Sequence, residues 1–312
     1  MNRGMAVRAR AGPGFQTRVD DAMASGCSGG VDIGFVGLGY AKVGILGIVQ
    51  GITELLPISS TAHMRIVPAL FGWPDPGSAF SAAMQLAALA AVVSYFWADV
   101  RQLVSGSLGA LVRRDFGNRD LKFGLSIVLA TIPIGILGLA LAPILNACGS
   151  PLRSLTVIGW SCIGMAVLLA VAEVVARHRR TIDQATWWDA AVVGIAQAGA
   201  LIPGVSRSGS TLTAALFMGF TRAEAARYSF LLGLPAITLA GLKELWELRH
   251  AALGSEGWLI LGFGLAVASI SAFAAIWGLM RVMERFSAWP FVVYRAALGA
   301  FLLVAVALGI LA

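Results

Sequence analysis

Long apolar stretches constrain the fold of this chain more than any other feature of its sequence. Six segments are mainly apolar over about 20 residues, the length that an α-helix needs to cross a bilayer. They cover residues 80–98, 122–145, 153–176, 225–242, 258–281 and 290–311. Charged residues make up only 12% of the chain, whereas a soluble domain carries about 25%. The sequence therefore predicts an all-α integral membrane protein with six transmembrane helices and excludes a soluble enzyme.

Basic residues are concentrated in alternate loops between these segments. The chain carries 23 basic and 16 acidic side chains, a net charge of +7. One set of loops and loop-flanking positions holds Arg101, Arg113, Arg114, Arg119, Lys122, Arg177, Arg179, Arg180, Arg222, Arg227, Arg281 and Arg285. The opposite set holds Arg153, Lys243 and Arg249. Because basic loops face the cytoplasm in multi-pass proteins, the charge is explained by topology, and no nucleic-acid partner is predicted.

Two further apolar segments, residues 38–70 and 188–219, are interrupted near their middle by Pro, Gly and Ser. The first interruption reads Pro57-Ile58-Ser59-Ser60, and the second reads Pro203-Gly204-Val205-Ser206. Irregular backbone at membrane depth is tolerated only where protein or a water-filled cavity satisfies its polar groups. Both segments are therefore predicted to be re-entrant helical hairpins.

The two interrupted segments resemble each other. Gly-Ile-x-Gln occurs at residues 47–50 and again 147 residues later, at residues 194–197. Each hairpin precedes three spans, so the second half would be inverted relative to the first, as in transporters with inverted-topology repeats. Coincidence among apolar, Gly-rich segments is the alternative. We predict a single membrane domain over residues 36–312, with halves at about 36–180 and 181–312, after a disordered N-terminal extension at 1–35.

The first hairpin contains acid, base and hydroxyl groups. Gln50 and Glu54 lie one helical turn apart and share a face, and a carboxylate inside the membrane is usually functional. His63 follows Ser59 and Ser60 closely, so it could activate a hydroxyl or attack phosphorus itself. The alternatives are a structural cap for Glu54 and a hydrogen-bonded buried histidine for His63.

The second hairpin combines hydroxyl groups with one guanidinium. Residues 206–211 read Ser-Arg-Ser-Gly-Ser-Thr and begin a predicted helix. The planar fork of Arg207 matches phosphate oxygens, and helix N-terminal N–H groups favour anions. Helix capping by Ser and Thr is the alternative, but it does not explain a buried arginine. A diphosphate held by one arginine and one carboxylate also predicts an oxygen-liganded cation, Mg²⁺ or Ca²⁺.

Three stretches carry a resemblance to a known family. They are Gln50-Gly-Ile-Thr-Glu54, Pro57-Ile-Ser59-Ser60-Thr61-Ala-His63 and Pro203-Gly-Val-Ser206-Arg207-Ser208-Gly-Ser-Thr211. In them, and from about residue 38 to the C-terminus, the chain resembles the undecaprenyl-diphosphatase, or bacitracin-resistance, family. The resemblance implies hydrolysis of undecaprenyl diphosphate to the monophosphate in the bacterial cytoplasmic (inner) membrane, with a divalent-cation site facing the periplasm. It also implies a role in recycling the carrier lipid of cell-wall synthesis.

The resemblance also implies roles for individual residues. Glu54, with Gln50, is expected to bind the metal, Ser60 to act as nucleophile and His63 to activate it. The substrate phosphates are expected to contact Ser59, Ser206, Arg207, Ser208 and Thr211. The family allows Glu or Gln at the position of Gln50, and the amide here removes one carboxylate from the metal site.

A lipid or small-molecule transporter or flippase is the alternative function, because inverted repeats and broken helices are transporter features and a fold does not fix a function. The expected partners are a polyprenyl diphosphate and membrane lipids, and a homodimer is an assembly that the sequence leaves open.

Overall fold

The computed structural model of the chain describes residues 34–145, 151–250 and 253–311. Its twelve α-helices within these ranges are α1 (Gly39–Leu55), α2 (Ser60–Phe71), α3 (Ser78–Ala83), α4 (Gln85–Tyr95), α5 (Trp97–Arg113), α6 (Arg119–Leu145), α7 (Leu155–Val175), α8 (Trp187–Ala198), α9 (Arg207–Phe217), α10 (Arg222–His250), α11 (Ser255–Arg285) and α12 (Trp289–Ala307). No β-strand occurs in the described ranges, where a single bridge joins Arg180 and Phe220. The prediction of an all-α protein is confirmed. The predicted disordered extension falls mostly on residues 1–33, outside the described ranges.

Six helical segments in the described residues are long and apolar enough to cross a membrane. They are Gly34–Leu55, Arg119–Leu141, Leu155–Val175, Arg222–His250, Ser255–Arg285 and Trp289–Ala307. Five of them overlap spans predicted from the sequence. The sixth, Gly34–Leu55, lies where the first half of a hairpin was predicted. On the outer faces of these helices large apolar side chains such as Leu139 (74% exposed) face outward, as expected for a lipid-facing surface.

The predicted span at residues 80–98 is not one straight helix. The segment Phe80–Tyr95 and helix α5 meet at an angle of 85°, with Phe96 between them. The apolar run ends at this point, because α5 carries Asp99 and Arg101 in its first two turns. Asp99 accepts hydrogen bonds from Arg227 at 2.6 and 3.1 Å, which fixes α5 to the start of α10.

Both interrupted segments contain a helix break of the same backbone type. The first break (residues 56–59) separates α1 from α2, and the second break (residues 199–206) separates α8 from α9. Each ends in a serine with positive φ that caps the next helix, Ser59 (φ +73°) and Ser206 (φ +71°). The Ser59 hydroxyl accepts from the Ala62 N–H at 3.4 Å, and the Ser206 hydroxyl accepts from the Gly209 N–H at 3.1 Å. The two caps are 206 − 59 = 147 residues apart, the spacing of the sequence repeat.

Small residues allow the helices around the breaks to pack closely, as is common in membrane proteins. A Cβ atom at Gly51 of α1 would lie 2.0 Å from the Ser271 hydroxyl of α11. One at Gly194 of α8 would lie 2.6 Å from the Ala130 carbonyl oxygen of α6. The helices that carry the two breaks are thus held against long spans, and the breaks are held in fixed positions.

Candidate active site

The Glu54 carboxylate is the centre of a polar cluster that joins the two breaks. Glu54 is 6% exposed, near the end of α1. Its Oε2 accepts from the Gln50 amide at 3.0 Å and from the Ser60 hydroxyl at 2.6 Å, and its Oε1 accepts from Arg207 Nη2 at 3.3 Å. Gln50 lies one turn earlier on the same helix, and the first break brings Ser60 to the same carboxylate. The predicted meeting of Glu54 with Arg207 is therefore present in the structure.

Ser60 begins α2 and is partly exposed. At 2.6 Å its hydroxyl makes a short, charge-assisted hydrogen bond to Glu54. A hydroxyl whose proton already points at a carboxylate has a proton acceptor in place. The hydrogen-bond acceptor of the Ser60 hydroxyl is thus Glu54 and not His63, the activator that the resemblance implies.

His63 lies beside this cluster, with both ring nitrogens bonded to other groups. Because the Ser59 carbonyl can only accept, Nδ1 donates to it at 2.7 Å, and Nε2 of the neutral ring accepts from the Tyr294 hydroxyl at 2.6 Å. The rings of His63 and Tyr294 are also stacked, with centroids 5.7 Å apart. His63 contacts the carbonyl of Ser59 because it follows that residue by one helical turn. The structure therefore links His63 to the positive-φ residue of the first break rather than to Ser60.

Arg207 is the first residue of α9 and has a side chain that is 13% exposed. The guanidinium occupies space that Gly233 of α10 leaves free, since a Cβ there would lie 1.7 Å from Nη1. The neighbouring cap residue Ser206 is partly exposed. The absence of a side chain at Gly233 thus allows the guanidinium to lie against Glu54.

The other hydroxyl groups at the start of α9 bond mainly to protein. Ser208 donates to the carbonyls of Glu54 (3.2 Å) and Leu56 (3.0 Å), and so connects α9 to the first break. Thr211 is fully buried, donates to the Arg207 carbonyl at 2.8 Å and lies 2.5 Å from the Ser229 hydroxyl. Of the predicted phosphate ligands on this helix, Arg207 bonds to Glu54, whereas Ser208 and Thr211 form contacts between helices or within α9.

Arg295 of α12 is a site residue to which the sequence reasoning assigned no role. It is 1% exposed, and its guanidinium donates to the carbonyls of Pro57 (3.0 Å), Gly204 (2.7 Å) and Val205 (3.1 Å). These carbonyls belong to the two breaks, so Arg295 ties the breaks together. An ionisable residue inside an apolar segment is a functional candidate by default, and this reasoning, applied to residues 290–311, would have found Arg295.

The cluster offers oxygen ligands for a cation but few of them. Glu54 has a carboxylate, Gln50 has an amide oxygen and Ser60 has a hydroxyl. Within the described ranges no group of three or more His, Cys, Asp or Glu residues could hold a metal ion. Mg²⁺ is commonly bound by one or two carboxylates together with substrate phosphates and waters. The residues therefore fit a cation that binds together with a diphosphate.

Glu54, Ser60 and Arg207 thus join a carboxylate, a hydroxyl and a guanidinium in one polar cluster of a multi-pass helical protein. The family model for the bacitracin resistance protein BacA matches residues 43–301, and the chain belongs to this family.

Curated relatives agree with the family match. An undecaprenyl-diphosphatase 2 of Mesorhizobium japonicum is 74% identical over 263 residues, which are 84% of this chain and all of the relative. An undecaprenyl-diphosphatase of Gloeobacter violaceus is 48% identical over 275 residues, 88% of this chain and 94% of the relative. One from Nostoc is 47% identical over 268 residues, 86% and 84% of the two chains.

Proposed function

We propose that the cluster around Glu54 hydrolyses undecaprenyl diphosphate to undecaprenyl monophosphate and inorganic phosphate. The chain is an undecaprenyl-diphosphate phosphatase by family and by the names of its relatives. The activity recycles the carrier lipid of cell-wall synthesis and accounts for bacitracin resistance. The observation that carries the assignment to this cluster is the Ser60 hydroxyl at 2.6 Å from Glu54, with Arg207 at 3.3 Å from the same carboxylate.

The reaction begins with the attack of Ser60 Oγ on the terminal phosphorus of the diphosphate. The hydroxyl proton moves to Glu54, and the bond from that phosphorus to the bridging oxygen breaks. The bridging oxygen keeps the electron pair and leaves with undecaprenyl monophosphate, to which Glu54 returns the proton. Water then attacks the phosphoserine, Glu54 takes a proton from this water, and Ser60 leaves and is reprotonated as phosphate is released.

Arg207 and the two helix N-termini neutralise the charge of the diphosphate. Phosphoryl transfer depends mainly on positioning and charge neutralisation, and α2 and α9 both begin at the site with capping serines. Arg207 exchanges its single long bond to Glu54 for phosphate oxygens, which match its planar fork better. Ser59 and Ser206, as caps, orient the free N–H groups of these helices toward the ligand.

We assign to His63 a positioning role through Ser59. Its Nδ1–H bond to the Ser59 carbonyl supports the positive-φ backbone from which Ser60 projects. The activation of Ser60 that the resemblance implies for His63 is given to Glu54, because Glu54 already accepts the Ser60 proton.

A divalent cation, Mg²⁺ or Ca²⁺, is part of the proposal. Glu54 and the amide oxygen of Gln50 would hold it beside the diphosphate. The bound cation would neutralise phosphate charge and polarise the P–O bond. With one carboxylate only, the protein alone binds the cation weakly, and most of its ligands come from substrate and water.

The arrangement in the membrane is also a proposal. The two breaks are separated by the same number of residues as the two Gly-Ile-x-Gln motifs, and each ends in a serine cap with positive φ. These features support two re-entrant hairpins in an inverted repeat. The distribution of arginines among the loops supports a bacterial inner-membrane protein whose basic loops are cytoplasmic and whose active site opens to the periplasm. The homodimer left open by the sequence stays a prediction.

Phosphate release by the purified protein in detergent micelles tests the activity and its cation together. The wild type is expected to release one phosphate per C55 diphosphate, to stop when a chelator is added and to recover with Mg²⁺ or Ca²⁺. In Glu54→Gln we expect kcat to fall by about 10²–10⁴-fold, the usual contribution of a general base, and the cation dependence to weaken. Glu256→Gln, an exposed change at the start of α11, is the control. Lipid transport without phosphate release would contradict the proposal.

A further inference from the structure

An apolar groove of about 970 Å³ opens beside the active site, between the end of α1 and helices α11 and α12. Its walls include Ile52 and Leu56 at the end of α1, Gly278 and Val282 on α11, and Val293 on α12. Among the described residues that line it, the only side chains with a polar group besides Trp289 are Ser271 and Ser287. The groove therefore suits a hydrocarbon and offers no charged partner to a head group.

On two sides, residues that line the groove are neighbours in sequence of residues in the catalytic cluster. On the α1 side, Leu56 lies two residues after Glu54, and its carbonyl accepts from Ser208. On the α12 side, Val293 directly precedes Tyr294, which donates to His63. A molecule with its polar end at Glu54 can therefore place an apolar chain in the groove without leaving the protein surface.

We propose that this groove binds the isoprenoid chain of the substrate and so determines the preference for long prenyl diphosphates. The inference rests on the proposed function of the Glu54 cluster. The reacting phosphate must reach a carboxylate that is 6% exposed, while the attached chain must stay in apolar surroundings. The groove meets both requirements because it begins where the first break ends α1 and extends along α11 toward the connection between α11 and α12.

Gly278 provides a way to fill the groove without disturbing the fold. A Cβ atom at Gly278 meets no atom within 4 Å, and the same is true at Gly262, four turns earlier on α11 and outside the groove. Gly278→Phe therefore places a ring in the groove, and Gly262→Phe places the same ring on the exposed surface of the same helix. The two variants form a matched pair.

Phosphate release is measured for both variants with a C55 diphosphate and with isopentenyl diphosphate, a C5 compound too short to fill the groove. For Gly278→Phe we expect kcat/KM with the C55 substrate to fall about tenfold, within the range for a reshaped apolar pocket, mainly through KM. The C5 rate should stay within about twofold of wild type, as should both rates of Gly262→Phe. Equal C55 rates in the two variants would overturn the inference. No phosphate release by the wild type from either substrate would instead overturn the proposed function.

Photo-crosslinking keeps the inference testable if Gly278→Phe does not fold. A prenyl diphosphate with a benzophenone at its far end is irradiated with wild-type protein, and labelled peptides are identified by mass spectrometry. We expect label on residues 271–293, suppressed by excess C55 diphosphate. Label that C55 diphosphate does not suppress would mean that bulk lipid alone fills the groove. That result, or label on other residues only, would overturn the inference.

Discussion

The two helix breaks share a backbone and differ in the residue that follows the cap. In the first, Ser59 has positive φ, caps α2 and is followed by Ser60. In the second, Ser206 has positive φ, caps α9 and is followed by Arg207. Both following residues bond to Glu54, at 2.6 and 3.3 Å. The same backbone arrangement thus places a hydroxyl from one break and a guanidinium from the other on one carboxylate. The two breaks differ in chemistry through this one side chain in each.

Loss of the Ser60 hydroxyl is expected to have the largest effect. If Ser60 is the nucleophile, Ser60→Ala lowers kcat by about 10⁴-fold or more, as removal of a nucleophile does in other hydrolases. The check is phosphate release, together with acid-stable ³²P labelling of the wild type by a β-labelled substrate. Ser105→Ala on α5 removes an exposed hydroxyl as a control. Unlabelled wild type together with an active Ser60→Ala would make His63 or water the attacking group.

Replacing Arg207 tests the role of the residue that follows the cap in the second break. We expect Arg207→Ala to lower kcat/KM by about 10²–10³-fold, the cost of one lost oxyanion donor. Arg207→Lys should recover only part of this loss, because an ammonium keeps the charge but lacks the fork. The exposed Arg285→Ala controls for loss of a positive charge. Full recovery in Arg207→Lys would show that charge alone is needed, and wild-type activity in Arg207→Ala would remove the phosphate-binding role.

The sequence predicted most of the fold because hydrophobic length and helix-breaking residues are local signals. Five spans and both breaks lie where they were expected, and Glu54 meets Arg207. The bend at Phe96 was missed because the apolar run was extended to residue 98, past the point where the polar face of α5 begins. The Ser60–Glu54 bond and the bonds from Arg295 to the carbonyls of both breaks were also missed. These contacts depend on the direction of the chain at each break and on the packing of α12, which no local pattern specifies.

Gly233 of α10 tests how the Arg207 guanidinium is positioned by a helix outside either break. A methyl group there would overlap Arg207 Nη1, so Gly233→Ala should displace the guanidinium and lower kcat/KM by about ten- to a hundredfold. In an Arg207→Ala background the same change should cost much less, because there is no guanidinium to displace. The cycle is measured by phosphate release, with Gly262→Ala as a control in open space. Equal losses in both backgrounds would mean that Gly233 acts on helix packing instead.

Thr211 distinguishes phosphate binding from helix contact, and its effect should be the smallest. Its hydroxyl is buried between the Arg207 carbonyl and Ser229, so Thr211→Val should cost about 1 kcal/mol of unfolding free energy. Because this hydroxyl bonds to the Arg207 carbonyl and to Ser229 and makes no bond to Glu54, KM for the C55 substrate should change by less than about threefold. Thermal unfolding and phosphate release in the same detergent measure the two quantities. A large rise in KM at unchanged stability would restore Thr211 as a phosphate ligand, and would require α9 to turn when the diphosphate binds.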